Sequence, residues 1–75
     1  MTDEATEKFI RGMTKTRIQL GMTQAELQRK VFGFDGPEIN RHERGHVKRI
    51  SLSRALQISR AMGYSIEVLV EVGES

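Results

Sequence analysis

Apolar positions recur along this chain at the spacing of short amphipathic helices. Phe9, Ile10, Met13 and Leu20 form a first stripe, with Arg17 on the same face. Residues three and four apart share one side of a helix, so the stripe predicts a helix from about Asp3 or Thr6 to Leu20. Acids in its first turn complement the partial positive charge of a helix start. Gly12 inside it costs about 1 kcal/mol relative to alanine. A later stripe, Leu52, Ala55, Leu56, Ser59 and Met62, predicts a helix from near Ser51 to Met62 with Gly63 as its C-cap.

Between these stripes one local signal occurs twice, twelve residues apart: "GMTQAEL" (21–27) and "GFDGPEI" (33–39). Each copy has Gly, an apolar residue, a capping residue, two variable positions, Glu and an apolar residue. The glycine suits the left-handed end of a preceding helix. Thr23 and Asp35 can accept from backbone N–H groups at a helix start, and Glu26 and Glu38 stand three residues on, as a capping box requires. Met22 with Leu27, and Phe34 with Ile39, have the spacing of a hydrophobic staple. Pro37 falls in a first turn, where its missing N–H costs little. Two helix starts this close predict a short helix at about Gln24–Phe32, a tight turn, and a second at about Gly36–Arg44 stopped by Gly45. Residues 46–50, "HVKRI", read as a basic loop.

The C-terminal "YSIEVLVEVGE" supports two readings. Ser65 can cap a fifth helix that turns Ile66, Leu69 and Val70 inward. Ile66, Val68, Val70 and Val72 also alternate with Glu67 and Glu71, a strand pattern whose sheet partner would be the mate in a dimer. The helix is the preferred expectation. The fold class is therefore all-α, a bundle of about five short helices, with a strand at 65–72 as the alternative.

Composition narrows the setting. Seventy-five residues suggest a single domain, 1–75, with an acidic end at 1–7 and a tail at 72–75. With no cysteine there is neither a disulfide framework nor a thiolate metal site. No apolar run reaches signal-peptide or membrane-span length, so a soluble, cytoplasmic protein is expected without a membrane partner. All twelve Lys and Arg lie between Lys8 and Tyr64, against only Glu26, Asp35, Glu38 and Glu43, while both ends are acidic. A basic centre of this kind points to a polyanion partner.

"HERGH" (42–46) matches the H-E-x-x-H signature of zinc proteases. A catalytic zinc needs both imidazoles on one uninterrupted helix, plus a third ligand. Gly45 separates the two histidines where a helix is about to end, and Glu67 or Glu71 would have to supply the third ligand in a chain with little room for a cleft. The seven glycines form no phosphate loop. No metal, no cofactor and no enzymatic activity are expected.

"TRIQLGMTQAEL", "GFDGPEINRHERG" and "SLSRALQISRAMGYSIEVL" together resemble the lambda-repressor-like helix-turn-helix family, which includes Cro/cI-type repressors and XRE regulators. The likeness covers about residues 8–71. "GMTQAEL" and the Ile39–Glu43–Gly45 spacing are its most specific parts. It implies a central helix-turn-helix that binds double-stranded operator DNA, usually as a two-fold homodimer. By position, it implies that Gln24 meets phosphate while Thr23 caps, and that Gly36, Pro37, Asn40 and Arg41 face base edges. Arg44, His46, Lys48 and Arg49 would touch phosphates or reach a minor groove. Arg41 is the best candidate for direct readout, since a guanidinium bonds guanine O6 and N7 together. Arg17 and Glu43 take the positions of a partly buried ion pair between the first and third helices. Three departures matter: Leu27 to Gly33 is one residue long, with Phe32 the addition; Gly36–Pro37 offer bases no side-chain hydrogen bond; and His42 stands where the family is usually apolar or aromatic.

The expected function is a sequence-specific transcriptional regulator, a repressor on a palindromic operator. The alternative is an antitoxin that binds a toxin partner and also represses its own promoter, motivated by the strand-like tail. No second domain for an inducer is visible, so no small-molecule ligand is expected.

Overall fold

The computed structural model describes residues 1–75 and has five helices: α1 (Asp3–Gln19), α2 (Gln24–Phe32), α3 (Glu38–Glu43), α4 (Leu52–Met62) and α5 (Ile66–Glu74). Four of them begin at a hydroxyl that accepts a backbone N–H: Thr2 from Ala5, Thr23 from Glu26, Ser51 from Arg54 and Ser65 from Val68. Each such cap contributes about 1 kcal/mol. At Thr23 the capping box is complete, because Glu26 Oε1 also accepts from Thr23 N at 3.0 Å. The acidic start of the chain is the first turn of α1, and Val72 to Glu74 belong to α5.

The second capping box does not form. Pro37 occupies the N-cap of α3 with no side-chain bond, and Asp35 Oδ1 instead accepts from Arg29 at 3.1 Å. Gln28 of α2 does the capping: its Oε1 accepts from Ile39 N at 3.0 Å and its Nε2 donates to Glu38 Oε1 at 2.6 Å. The start of α3 is thereby closed from a neighbouring helix. Helix α3 is correspondingly shorter than Gly36–Arg44, since Gly36 and Pro37 remain in the turn. The Phe34–Ile39 staple is absent too: Phe34 is exposed and sets its ring edge against Phe32, 6.0 Å between centroids.

The tail is helical, and the strand reading of 65–72 fails for an energetic reason. A helix satisfies its backbone internally and lays Leu69 and Gly73 against α1, whereas a lone strand leaves a row of unpaired groups. The two helices meet backbone to backbone. A β-carbon on Gly12 would run into the Leu69 carbonyl, and one on Gly73 into the Lys8 carbonyl. Gly12, a local liability in α1, is the condition for this approach. Basic side chains of α1 then cover the end of α5: Arg11 donates to Gly73 O at 2.9 Å and Lys15 to Val72 O at 3.4 Å.

The core draws on every helix and on the α3–α4 loop. Phe9, Met13, Leu27, Ile39, Ala55, Ile58 and Leu69 are wholly buried, with Ile10, Ile50 and Met62 beside them. Fully burying one large apolar side chain contributes about 1.5–3 kcal/mol. Three expected core positions lie outside. Leu20 is the C-cap of α1, where the stripe has already ended, and Leu52 and Leu56 are exposed because α4 turns Ala55, Ile58, Ser59 and Met62 inward. The loop after α3 is anchored by Ile50, whose N–H donates to Thr6 Oγ1 of α1 at 3.0 Å.

Candidate nucleic-acid interface

Helices α2 and α3 and the turn between them form the candidate surface. The extra residue lengthens α2 by regular helix: Gly33 N donates to Arg29 O at 2.9 Å, and Gly33 takes φ 81°, a left-handed conformation that glycine adopts without strain. Phe32, the added residue, half-buries its ring beneath the Arg54 guanidinium, 4.1 Å from centroid to carbon. A cation over an aromatic face holds α2 to α4 at this point.

Inside the unit a polar chain joins three helices. Arg17 of α1 donates to Glu43 of α3 through Nε at 2.8 Å and Nη2 at 3.0 Å, and through Nη1 to Met22 O at 2.8 Å. Both side chains are nearly buried, 12% and 8% exposed. Glu43 Oε1 also accepts from Gln24 Nε2 at 2.8 Å, and Gln24 Oε1 accepts from Asn40 Nδ2 at 3.2 Å. Gln24 and Asn40, both expected to look outward to DNA, are thus half-buried and bonded to each other. Gln28, a residue that the sequence reading missed, lies four residues after Gln24 and so shares its face; that spacing is the readable signal for it.

His42 points inward. It is buried, and its Nδ1 donates to the Glu38 carbonyl 2.6 Å away. The imidazole is accommodated in the interior because its buried nitrogen is satisfied on its own helix. Gly45 then ends the α3 segment with φ 81°. "HERGH" is consequently split, with His42 in the interior of α3 and His46 on the exposed loop beyond. A cleft of about 590 Å³ between α1 and this loop is lined by Asp3, Glu7, His42 and Glu43 among others. No three His, Asp or Glu side chains of the chain come together as metal ligands.

The outward groups are cationic. Thr23, Gly36, Pro37, Arg41, Arg44, His46, Lys48 and Arg49 are all exposed. Arg41, Arg44, His46 and Lys48 make no side-chain hydrogen bond or ion pair within the protein, whereas Arg49 donates to Asp3 at 2.6 Å across an exposed pair. Lys30 and Arg60, not among the expected contacts, are the other cations left without a partner. Thr23 presents the N-terminal end of α2, whose free N–H groups and dipole favour an anion.

A short helix, a glycine-started turn and a second helix with unpaired Arg41 on it and Arg44 at its C-cap define the class: a helix-turn-helix DNA-binding regulator. A family model described as helix-turn-helix, of the Cro/C1 type, matches residues 13–69, well over half of the chain. The chain belongs to that family, and with it to DNA-binding regulators of transcription. Neither curated proteins nor solved structures yield a match to this chain. No helix is long and apolar enough to cross a membrane.

Proposed function

We propose that this chain is a sequence-specific repressor that binds a palindromic operator as a homodimer, in the cytoplasm. One observation carries the reading. Arg41, Arg44, His46 and Lys48 stand exposed and unpartnered on α3 and its following loop, while most other cations of the chain are engaged internally. A protein rarely leaves a row of cations unneutralised beside a helix end unless a polyanion completes them.

The roles follow from placement. Arg41, on the exposed side of α3, reads base edges, and Gly36 and Pro37 let the turn approach the groove without bulk. Thr23, Gln24, Arg44, His46, Lys48 and Arg49 meet phosphates; Arg49 exchanges Asp3 for one, since an exposed pair contributes little. Occupancy of the operator is sufficient for repression. Dimerisation is supported by apolar surface that the single chain leaves open, above all Leu52 and Leu56 on one side of α4. The antitoxin alternative loses the strand that motivated it, because the tail is α5 packed on α1.

Selection from randomised duplexes tests the reading, followed by titration of the enriched site and of its half-sites. A palindromic motif is expected, with a complex that holds two chains and affinity that falls steeply with salt. A non-palindromic motif bound by one chain removes the homodimer. Absence of any motif removes sequence-specific binding.

A further inference from the structure

The cleft between α1 and the loop after α3 opens beside the proposed DNA contacts and shares only Lys48 with them. Most of its α1 wall precedes residue 13, outside the span shared with the family. Its volume of about 590 Å³ suits a small metabolite. Three acids line it, and each already has an arginine: Asp3 pairs with Arg49, Glu7 with Arg11 and Glu43 with Arg17. Of the two lysines in the wall, Lys15 donates to the carbonyls of Val72 and Ser75, whereas Lys48 has no partner. One positive charge in the cleft is therefore uncompensated.

Two further groups are free. His42 Nδ1 donates to the Glu38 carbonyl, so the neutral ring carries its hydrogen there and Nε2 holds a lone pair. No buried side-chain nitrogen of the chain lacks a partner, and Nε2 has none, so it is open to solvent through the cleft that His42 lines. Thr14, on the α1 wall, is half-buried, and its hydroxyl bonds to no other group of the chain. A ligand complementary to this wall presents one negative charge, a hydrogen for Nε2 and an acceptor for Thr14. A singly ionised phosphate monoester has all three: P–O⁻ for Lys48, P–OH for His42 and a third oxygen for Thr14. Its second ionisation falls at about pH 6, so the proton is at hand near neutrality. A carboxylate and a phosphodiester offer acceptors alone, and the backbone phosphates of DNA are diesters. Ile10 and Val47, the apolar part of the lining, suit the body of the ester.

We propose that this cleft binds a phosphate monoester the size of a sugar phosphate or a mononucleotide, held by Lys48, His42 and Thr14, and that the ligand releases the protein from DNA. The site stands independently of the DNA-binding reading. The release rests on that reading, through Lys48, which cannot serve a ligand phosphate and a DNA phosphate together. Coupling is reciprocal, so operator DNA weakens ligand binding by the same factor.

Calorimetric titration of DNA-free protein with adenosine monophosphate, ribose phosphate and inorganic phosphate tests the site, with cyclic adenosine monophosphate as the diester control. An ester is expected to bind once per chain, about tenfold or more tighter than the cyclic diester, as a hydrogen bond to a charged group provides. A preference for the nucleotide or for the sugar phosphate identifies the source of the monoester. Thr14→Val and His42→Asn should each weaken the ester by about tenfold or more. Asparagine keeps an N–H where Nδ1 stands and removes Nε2, and thermal unfolding of both variants establishes that they are folded. Thr14→Val, away from every proposed DNA contact, should keep the operator affinity of wild type and lose its sensitivity to the ester. Absence of binding by both esters at millimolar concentration overturns the site. So does equal binding of the diester, or undiminished binding by both folded variants. Inorganic phosphate held as tightly as either ester shows an adventitious anion only and overturns the ligand class. Ester binding with unchanged operator affinity overturns the release alone. If wild type enriches no operator, the DNA reading falls and the release with it, while the titration still decides the site.

Discussion

Glu43 accepts two hydrogen bonds from Arg17 and one from Gln24 in a nearly buried site. Removing its charge while keeping its shape leaves the Arg17 guanidinium without an anion where solvent barely reaches. Breaking a buried pair costs about 3–5 kcal/mol, and each kcal/mol lowers the melting temperature of a domain this size by about 4–8 °C. Glu43→Gln is therefore expected to melt at least about 10 °C below wild type; equal melting temperatures would show that the pair contributes nothing. Gln28 offers a second comparison, because it is buried and closes the start of α3 that Asp35 leaves open. Gln28→Leu strands the Ile39 N–H and the Glu38 carboxylate, a loss of about 1–3 kcal/mol. Asp35→Ala removes only an exposed partner of Arg29 and should stay within about 0.5 kcal/mol of wild type in urea unfolding. The reverse order would mean that the sequence-level capping box, and not Gln28, governs α3.

At the scale of elements, the crossing of α1 and α5 inverts an ordinary rule. Alanine normally stabilises a helix interior by about 1 kcal/mol over glycine, yet a methyl group at residue 12 meets the backbone of α5. Gly12→Ala should thus destabilise by about 1–3 kcal/mol in denaturant unfolding, and a gain in stability would disprove the close crossing. The start of α2 carries a pH signature. The backbone N–H of Thr23, and then its hydroxyl, hold the Glu26 carboxyl below its ordinary 4.5. A carboxyl lower in the folded than in the unfolded chain stabilises fully above its unfolded value, and this contribution is lost as pH falls through the lowered one. Wild type should therefore exceed Glu26→Gln in melting temperature near neutrality, with the gap closing in acid as the pH falls below the ordinary 4.5; a constant gap would remove the charged cap. These elements also show what could be read in advance. Caps at Thr23 and Ser65 and the helix-turn-helix spacing are local or periodic, so they stand in the letters, whereas the Arg17–Glu43 pair, 26 residues apart, is implied only by the family resemblance. The cap from Gln28, the inward turn of Gln24 and Asn40, and the Gly12–Gly73 crossing depend on which faces meet in space. The tail was ambiguous because β-branched residues at alternate positions also suit a helix whose inner face needs only Leu69 and Gly73.

For the whole molecule, charge is sorted more finely than the basic centre of the sequence suggested. Of the twelve Lys and Arg, Lys8, Arg11, Lys15, Arg17, Arg29, Arg49 and Arg54 bind carboxylates, carbonyls or an aromatic ring of the same chain. The cations of the α1–α5 seam neutralise the acidic ends and so are withdrawn from any outside partner; Lys8, for one, is raised above its ordinary 10.5, first by its hydrogen bond to Glu4. The unpaired remainder is concentrated on and after α3, with Lys30 and Arg60 elsewhere. If this remainder meets DNA, cations should fall into three kinds by their response to salt. A side chain on a phosphate releases about one counterion, so its loss flattens the slope of log affinity against log salt by about 1 and leaves the preferred sequence intact. Lys48→Ala is expected to do this. Arg41→Ala should instead relax the preference at one base pair, since a base-reading guanidinium carries about 1–3 kcal/mol of discrimination. Lys15→Ala, on the α1–α5 seam, should leave both slope and motif as they are. Binding isotherms of the three variants on the enriched duplex at several salt concentrations decide the matter. A slope that drops equally for Lys15 and Lys48 would mean that DNA senses only the net charge of the molecule, and the placement of α3 and its loop against the duplex would have to be abandoned.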